Sequence, residues 1–227
     1  MSAPVLPAST APAAAPEAKP TWRGWIHAVM FPIALAAGIV LICLAHGGPA
    51  KAASAVFTAS ALLLFGVSAV YHLLPRPYEQ KARLRRFDHS NIFLLIAGTY
   101  TPLSIAALPA PKSVILLSII WGGALLGILF RVFWLRAPRW LYVPIYVALG
   151  WAAVLYAGDL IAFDGVAMLL VLLGGLAYSA GALFYALKRP NPRPGVFGFH
   201  EIFHACTAVA FACHWTAIML VTAHPLA

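Results

Sequence analysis

Long apolar stretches recur along the chain and are separated by short polar connections. They cover residues 24–45, 52–74, 90–109, 113–134, 140–158, 161–187 and 201–223. Most are close to the roughly 20 residues that a helix needs to cross the hydrocarbon core of a bilayer. The stretches are continuously apolar, whereas strands of a membrane barrel would alternate between apolar and polar residues. The pattern therefore predicts an all-α integral membrane protein, a bundle of seven transmembrane helices.

Composition supports this fold class. Of the 227 residues, 63% are hydrophobic and only 9% are charged, which is far from the balance of a soluble domain. Residues 1–20 are rich in Ala and Pro and are predicted to be a disordered tail, which leaves residues 21–227 as the transmembrane domain. No basic segment precedes an apolar core within this tail, so we do not expect a cleaved signal peptide.

The distribution of basic residues predicts the orientation of the bundle. The formal net charge is +9, and all 15 Lys and Arg residues except Lys51 and Lys112 fall on one side of the predicted spans. This is the positive-inside pattern, which places the N-terminus in the cytoplasm and the C-terminus outside. Orientation thus accounts for the basic charge, and no nucleic-acid partner is expected.

Polar side chains gather at one predicted membrane depth. Ser68 and His72 lie four residues apart on one helix face, in the last turns of span two. Asp88 opens span three, and His200 and His204 open span seven. All of these positions fall on the predicted cytoplasmic side. Because ionisable groups at membrane depth are costly, they are functional candidates.

These side chains predict a metal site. His200 and His204 can present two imidazoles to one point, and His72 from another helix completes the three-ligand set of catalytic zinc. Zinc in such a site makes a hydroxide available near neutral pH, Asp88 could accept the water's proton, and Ser68 could bond the oxyanion or Asp88. Alternatively, the polar groups satisfy one another across packed helices. Five such residues at one depth favour the metal site.

Three motifs carry a family resemblance. They are SAVYH at residues 68–72, RRFDHSNIFLLIAGTYTP around Asp88, and HEIFH at residues 200–204. Together they resemble the hallmark motifs of hemolysin III proteins, the bacterial branch of the progestin and adipoQ receptor family, in the alkaline ceramidase-like superfamily. The resemblance implies a seven-helix protein of the bacterial inner membrane, with zinc on the three motif histidines. Because alkaline ceramidases hydrolyse a lipid amide, it also implies a hydrolase that takes membrane lipids.

The first span departs from the family pattern. Members often carry a Glu and an Asn ahead of a His at this position, whereas this chain has only His27, in KPTWRGWIHAV. We therefore expect His27 to contribute at most indirectly to the site.

Several functions remain open at this stage. The favoured one is a zinc-dependent hydrolase of a lipid amide or ester bond that influences membrane lipid homeostasis. A lipid-responsive receptor or regulator with structural zinc is the alternative, and a cytolytic pore has less support. HEIFH also has the spacing of a metalloprotease helix with Glu201 as base. The candidate third protease ligand, Asp164, is predicted to lie a bilayer thickness away.

Other polar and aromatic residues have simpler interpretations. His214 lies ten residues beyond His204, about 15 Å deeper, so it is predicted to be a hydrogen-bonded bundle residue. His89 is expected to be solvated at a span end, and Tyr142 to belong to an interfacial aromatic belt. Asp159 and Asp164 are expected to be solvated loop residues.

Overall fold

A computed structural model describes residues 20–226 as helices joined by short connections. The prediction for residues 1–20 therefore lies, apart from Pro20, outside the described residues. The helices are α1 (Trp25–Leu44), α2 (Gly48–Leu73), α3 (Tyr78–Ala107), α4 (Ala110–Phe133), α5 (Arg139–Gly150), α6 (Ala157–Phe163), α7 (Gly165–Leu187) and α8 (Phe199–Ala223).

Seven helical segments of the described chain are long and apolar enough to cross a membrane. Helices α5 and α6 form a single segment of 25 residues with the 3-10 turn Trp151–Tyr156 between them. The predicted all-α bundle of seven spans is confirmed. Its lipid-facing surface exposes large apolar side chains, among them Leu126, Leu155 and Phe133.

Tyr100 of α3 stabilises the break in the fifth span. Its hydroxyl donates to the carbonyl of Gly150 at 2.7 Å and accepts from the backbone N–H of Ala153 at 2.6 Å. Both backbone groups lie where α5 changes into the 3-10 turn. A buried unpaired backbone group is costly, so this hydroxyl makes an irregular backbone tolerable at membrane depth.

The connection between the fifth and sixth spans lies later than predicted. Asp159 is part of α6 and pairs with Lys112 at 2.5 Å, and the connection is at Asp164. The Asp164 carboxylate caps α7 by accepting from the backbone N–H groups of Val166 and Ala167, both at 2.9 Å. The expectation of a solvated loop residue was wrong for Asp159, which lies in a helix, whereas Asp164 does lie in a connection, where it forms an N-cap.

Helix α3 lies at the centre of the bundle. In its most apolar stretch 78% of the residues are buried, compared with 22% in α1 and α7. It packs against α2, α4 and α8. It also begins at Tyr78, well before the predicted start at residue 90, because charged residues hide a helical extension from a hydropathy pattern. We call the end of the bundle that carries this extension and the start of α8 the basic end.

Candidate metal centre

Three histidines meet at the basic end. His72 lies in the last turn of α2, and His200 and His204 lie in the first two turns of α8. Each offers a nitrogen, and these three atoms all lie within 4.8 Å of one another. The Nε2 atoms of His72 and His200 are 3.2 Å apart. This group could hold a metal ion, as the sequence pattern predicted.

The donor set suits a metal ion that prefers nitrogen. The three rings are steeply inclined, with interplanar angles of 59°, 63° and 76° between pairs, so their lone pairs can converge from different directions. His204 is buried, and its Nδ1 has no hydrogen-bond partner in the described part of the chain. A buried imidazole nitrogen that protein contacts do not satisfy, as on His204, is typical of a ligand-binding site.

Asp88 and Ser68 lie beside the histidines. An oxygen of the Asp88 carboxylate is 4.0 Å from His72 Nε2, and the Asp88 side chain is only 13% exposed. The Ser68 side chain is buried and interacts with this carboxylate. The structure thus brings all five predicted residues to one place, although Asp88 lies ten residues after the start of its helix.

Glu201 has a structural position, not one facing the three histidines. It is completely buried, and its carboxylate accepts from Arg23 Nε at 2.7 Å and from the backbone N–H of Gly198 at 2.8 Å. Both oxygens are therefore engaged in holding the start of α8 and the segment before α1. The protease alternative thus loses Glu201 as its base. Its candidate third metal ligand, Asp164, caps α7.

The segment before α1 packs directly on the histidines. The backbone N–H groups of Thr21 and Trp22 donate to the carbonyls of Gly195 and Val196 at 3.1 and 3.2 Å. Gly24 has a φ of 94°, and a Cβ atom there would lie 2.7 Å from the Cβ of His72. Only glycine satisfies both the backbone conformation and the close approach.

His27 of α1 also contacts the cluster. Its ring stacks on the His204 ring with centroids 3.8 Å apart and an interplanar angle of 12°. The side chain is buried, and neither ring nitrogen has a partner within residues 20–226. The first span therefore packs on a candidate ligand, although the acidic and amide residues of the family pattern are missing.

A cavity extends from the histidines into the bundle. Asp88 and Ser68 line it at one end, and its far end reaches His214. His214 Nε2 bonds the carbonyl of Val171 at 3.1 Å and takes no part in the histidine cluster, as predicted. Most of the wall is apolar or aromatic, including Leu64, Ile92, Leu95, Ile96, Tyr100, Val143, Val147, Trp151, Tyr178 and Phe203.

Similarity to known proteins agrees with these motifs. The family described as Haemolysin-III related matches residues 17–215, which is most of the chain. The chain belongs to this family. The resemblance to hemolysin III proteins predicted from the three motifs is therefore confirmed.

Individual members and relatives of the Haemolysin-III-related family show how far the similarity extends. The chain is 36% identical to Hemolysin-3 of Bacillus cereus over 167 residues, covering 72% of this chain and 76% of that protein. It is also 36% identical to a Hemolysin-3 homolog of Bacillus subtilis over 135 residues, covering 59% and 63% respectively. The heptahelical transmembrane protein ADIPOR2 of Oryza sativa is 29% identical over 192 residues, covering 76% and 82%. The predicted relationship to the progestin and adipoQ receptors is thus confirmed.

Sequence reasoning missed one polar cluster of this Haemolysin-III-related protein. His89 is buried and contacts Arg131, which is completely buried near the end of α4. Tyr142 is also buried and lines the cavity. The expectations of a solvated His89 and an interfacial Tyr142 were therefore wrong. The available signal was Arg131 itself, because it stands between apolar residues in GILFRVFWL and not in a polar connection.

Proposed function

We propose that this protein is a zinc-dependent hydrolase of a lipid amide or ester bond, acting in the bacterial inner membrane and influencing membrane lipid homeostasis. One observation carries the proposal. A three-histidine cluster with Asp88 beside it opens into a cavity with apolar walls among the membrane-spanning helices. Such a cavity favours a substrate with hydrocarbon chains, and membrane lipids are the source nearest to hand.

One distance within the histidine cluster is compatible with zinc, and the three candidate ligand atoms all lie within 4.8 Å of one another. Two nitrogens that each lie about 2.05 Å from a tetrahedral zinc ion are roughly 3.3 Å apart. The Nε2 atoms of His72 and His200 are 3.2 Å apart. Three histidines also leave one coordination position for water or substrate, whereas structural zinc sites are usually closed by four protein ligands.

The reaction would be addition of water to the lipid carbonyl, followed by loss of the amine or alcohol. When bound, zinc would supply a Lewis acid that polarises the carbonyl and activates the water. The Asp88 carboxylate accepts the proton as the new C–O bond forms. It then delivers this proton to the leaving nitrogen or oxygen as the old bond breaks. Ser68 holds the Asp88 carboxylate in place, as their contact suggests.

Metal content and hydrolysis should be measured on the same purified preparations. We expect close to one zinc per chain in the wild type, loss of zinc in His72→Ala, and retention in His214→Ala. His214 is a matched histidine from α8 that bonds Val171 and not the cluster. Zinc retained in His72→Ala would contradict the three-histidine site.

Hydrolysis should be tested with ceramide and a fatty acyl ester in vesicles that contain the zinc-loaded protein. We expect Asp88→Asn to keep zinc and lose turnover by at least about a hundredfold, the usual scale of general acid–base catalysis. Asp159→Asn removes a carboxylate that pairs with Lys112 away from the cluster and should leave turnover unchanged. A wild type that binds zinc but hydrolyses neither lipid would favour the alternative, a lipid-responsive receptor or regulator with structural zinc.

A further inference from the structure

His46 and His224 lie side by side at the end of the bundle opposite the basic end. His46 is in the connection between α1 and α2, and His224 directly follows α8. Their ring centres are 6.2 Å apart, and the interplanar angle of 15° makes the rings nearly parallel. Both side chains are exposed. Nearly the whole of α8, roughly 36 Å, separates this pair from the three-histidine cluster.

Backbone hydrogen bonds hold the two histidines beside each other. The N–H of His46 donates to the carbonyl of Thr222, in the last turn of α8, at 2.9 Å, and Thr222 is completely buried. Beyond His224, the N–H of Leu226 donates to the carbonyl of Ala106, near the end of α3, at 2.8 Å. Both backbone segments are thus fixed to the bundle, and the exposed imidazoles can still rotate.

The separation of the two rings is compatible with a shared metal ion. A zinc ion lies about 2.05 Å from an imidazole nitrogen, and this nitrogen lies roughly 1.15 Å from the ring centre. Two rings on one ion therefore have centres about 5.2 Å apart in tetrahedral geometry and at most about 6.4 Å apart. The observed 6.2 Å lies within this limit. Rotation of the exposed side chains can therefore bring both rings to one ion without backbone movement.

The His46–His224 pair supplies two protein ligands, and water would fill the other positions. Within residues 20–226, the one group of three candidate metal ligands is the cluster at the basic end. Catalytic zinc usually has three protein ligands and structural zinc has four, so an ion on two histidines should bind more weakly and exchange with solvent. Imidazole nitrogen suits zinc, copper and nickel, whereas magnesium and calcium prefer oxygen.

We propose that His46 and His224 form a second, exchangeable site for a divalent transition-metal ion, with zinc as the ion to be tested. A bound ion links the connection after α1 to the end of α8, and so ties the first and last spans together at this end. The inference does not rest on the proposed function, because it uses no residue of the three-histidine cluster or of the cavity.

The test is equilibrium dialysis of the full-length protein in micelles against buffered zinc. We expect one tightly bound zinc at the three-histidine cluster and a second, weaker zinc. His46→Gln and His224→Gln should each weaken the second zinc at least about tenfold and keep the first, because the remaining histidine then acts alone. His72→Ala should lose the first zinc and keep the second. Lys51→Gln, at an exposed position of the same end, should change neither.

The two zinc sites can fail separately. A second zinc that persists in either His46→Gln or His224→Gln would overturn the proposal, because a shared site needs both imidazoles. The absence of a second zinc up to millimolar concentration would overturn it as well, and both results leave the three-histidine cluster untouched. If the wild type binds no tight zinc but the weak zinc depends on both residues, the proposed function fails and the His46–His224 site stands.

Nitrogen-15 NMR of labelled histidines identifies the ligands directly. Zinc added beyond the first equivalent should shift the ring nitrogens of His46 and His224 together. It should leave His214 unchanged, because that ring is buried and bonds Val171. The same addition should raise the unfolding temperature, since an ion bound only by the folded protein stabilises it, and either glutamine variant should abolish this rise. Resonances of His46 and His224 that do not move would refute the assignment.

Discussion

The Arg23–Glu201 pair can be tested with a double-mutant cycle. Replacing Arg23 by Gln leaves a completely buried carboxylate with only the Gly198 N–H as partner. Removing one partner of a buried ion pair costs about 3–5 kcal/mol. Because the Arg23 side chain is 22% exposed, water screens the pair, so we expect a smaller cost than this, about 2–3 kcal/mol.

Replacing the other partner, Glu201, should reduce the free energy of unfolding by less. Glu201→Gln removes the charge but keeps an oxygen that can accept from Gly198, and the partly exposed Arg23 can turn to water. We expect about 1–2 kcal/mol, the range of a hydrogen bond to a charged group. The double variant should be more stable than the sum of the two effects predicts, with a coupling of about 1–2 kcal/mol.

Equilibrium unfolding in mixed micelles measures all four proteins of the cycle. A coupling energy below about 0.5 kcal/mol would show that the two side chains act independently and would refute the reasoning. Zinc content and lipid hydrolysis of Glu201→Gln provide a separate check. Both should persist once the protein is folded, whereas a metalloprotease base at this position would make the variant inactive.

Two further substitutions test a close contact at Gly24 and the backbone hydrogen bonds of Tyr100. Gly24→Ala should destabilise the protein and lower metal occupancy at limiting zinc, because the added Cβ would lie 2.7 Å from the His72 Cβ. The control is Gly195→Ala, where φ is 76° but the surrounding space is open. It should lower the stability only by the cost of the left-handed backbone conformation, about 1 kcal/mol. Unchanged occupancy in Gly24→Ala would contradict the contact. Tyr100→Phe should cost about 1–3 kcal/mol in thermal unfolding, because two buried backbone groups each lose a hydrogen bond, whereas Tyr78→Phe at an exposed site should cost nothing measurable.

The spans and the histidine cluster were predictable because they depend on local signals. Runs of apolar residues mark the helices, and an i, i+4 spacing places His200 and His204 on one face. The basic connections indicated which helix ends lie on the same side of the membrane. This was enough to predict that His72 and Asp88 lie near the two histidines of span seven. A membrane restricts every helix to nearly the same direction. The predicted membrane depth of each side chain was therefore sufficient to predict that these residues lie near one another.

The remaining parts of the site depend on lateral packing, which hydropathy does not contain. Whether Glu201 faces the histidines or Arg23 is decided by the rotation of α8 and by the path of the chain before α1. The same limit applies to His89 and Tyr142, which were expected at solvated or interfacial positions. Their burial follows from the early start of α3 at Tyr78 and from the inward rotation of α4 at Arg131.

The candidate metal centre joins distant parts of the chain, and this has a consequence for biogenesis. His72 is translated long before His200, and Arg23 has no glutamate partner until Glu201 has been made. An inserting chain with six spans therefore leaves the polar face of α2 and α3 open to lipid or to the translocation machinery. Arrival of the last helix closes this face, so metal capture should be the final step of maturation and a marker of completed membrane insertion.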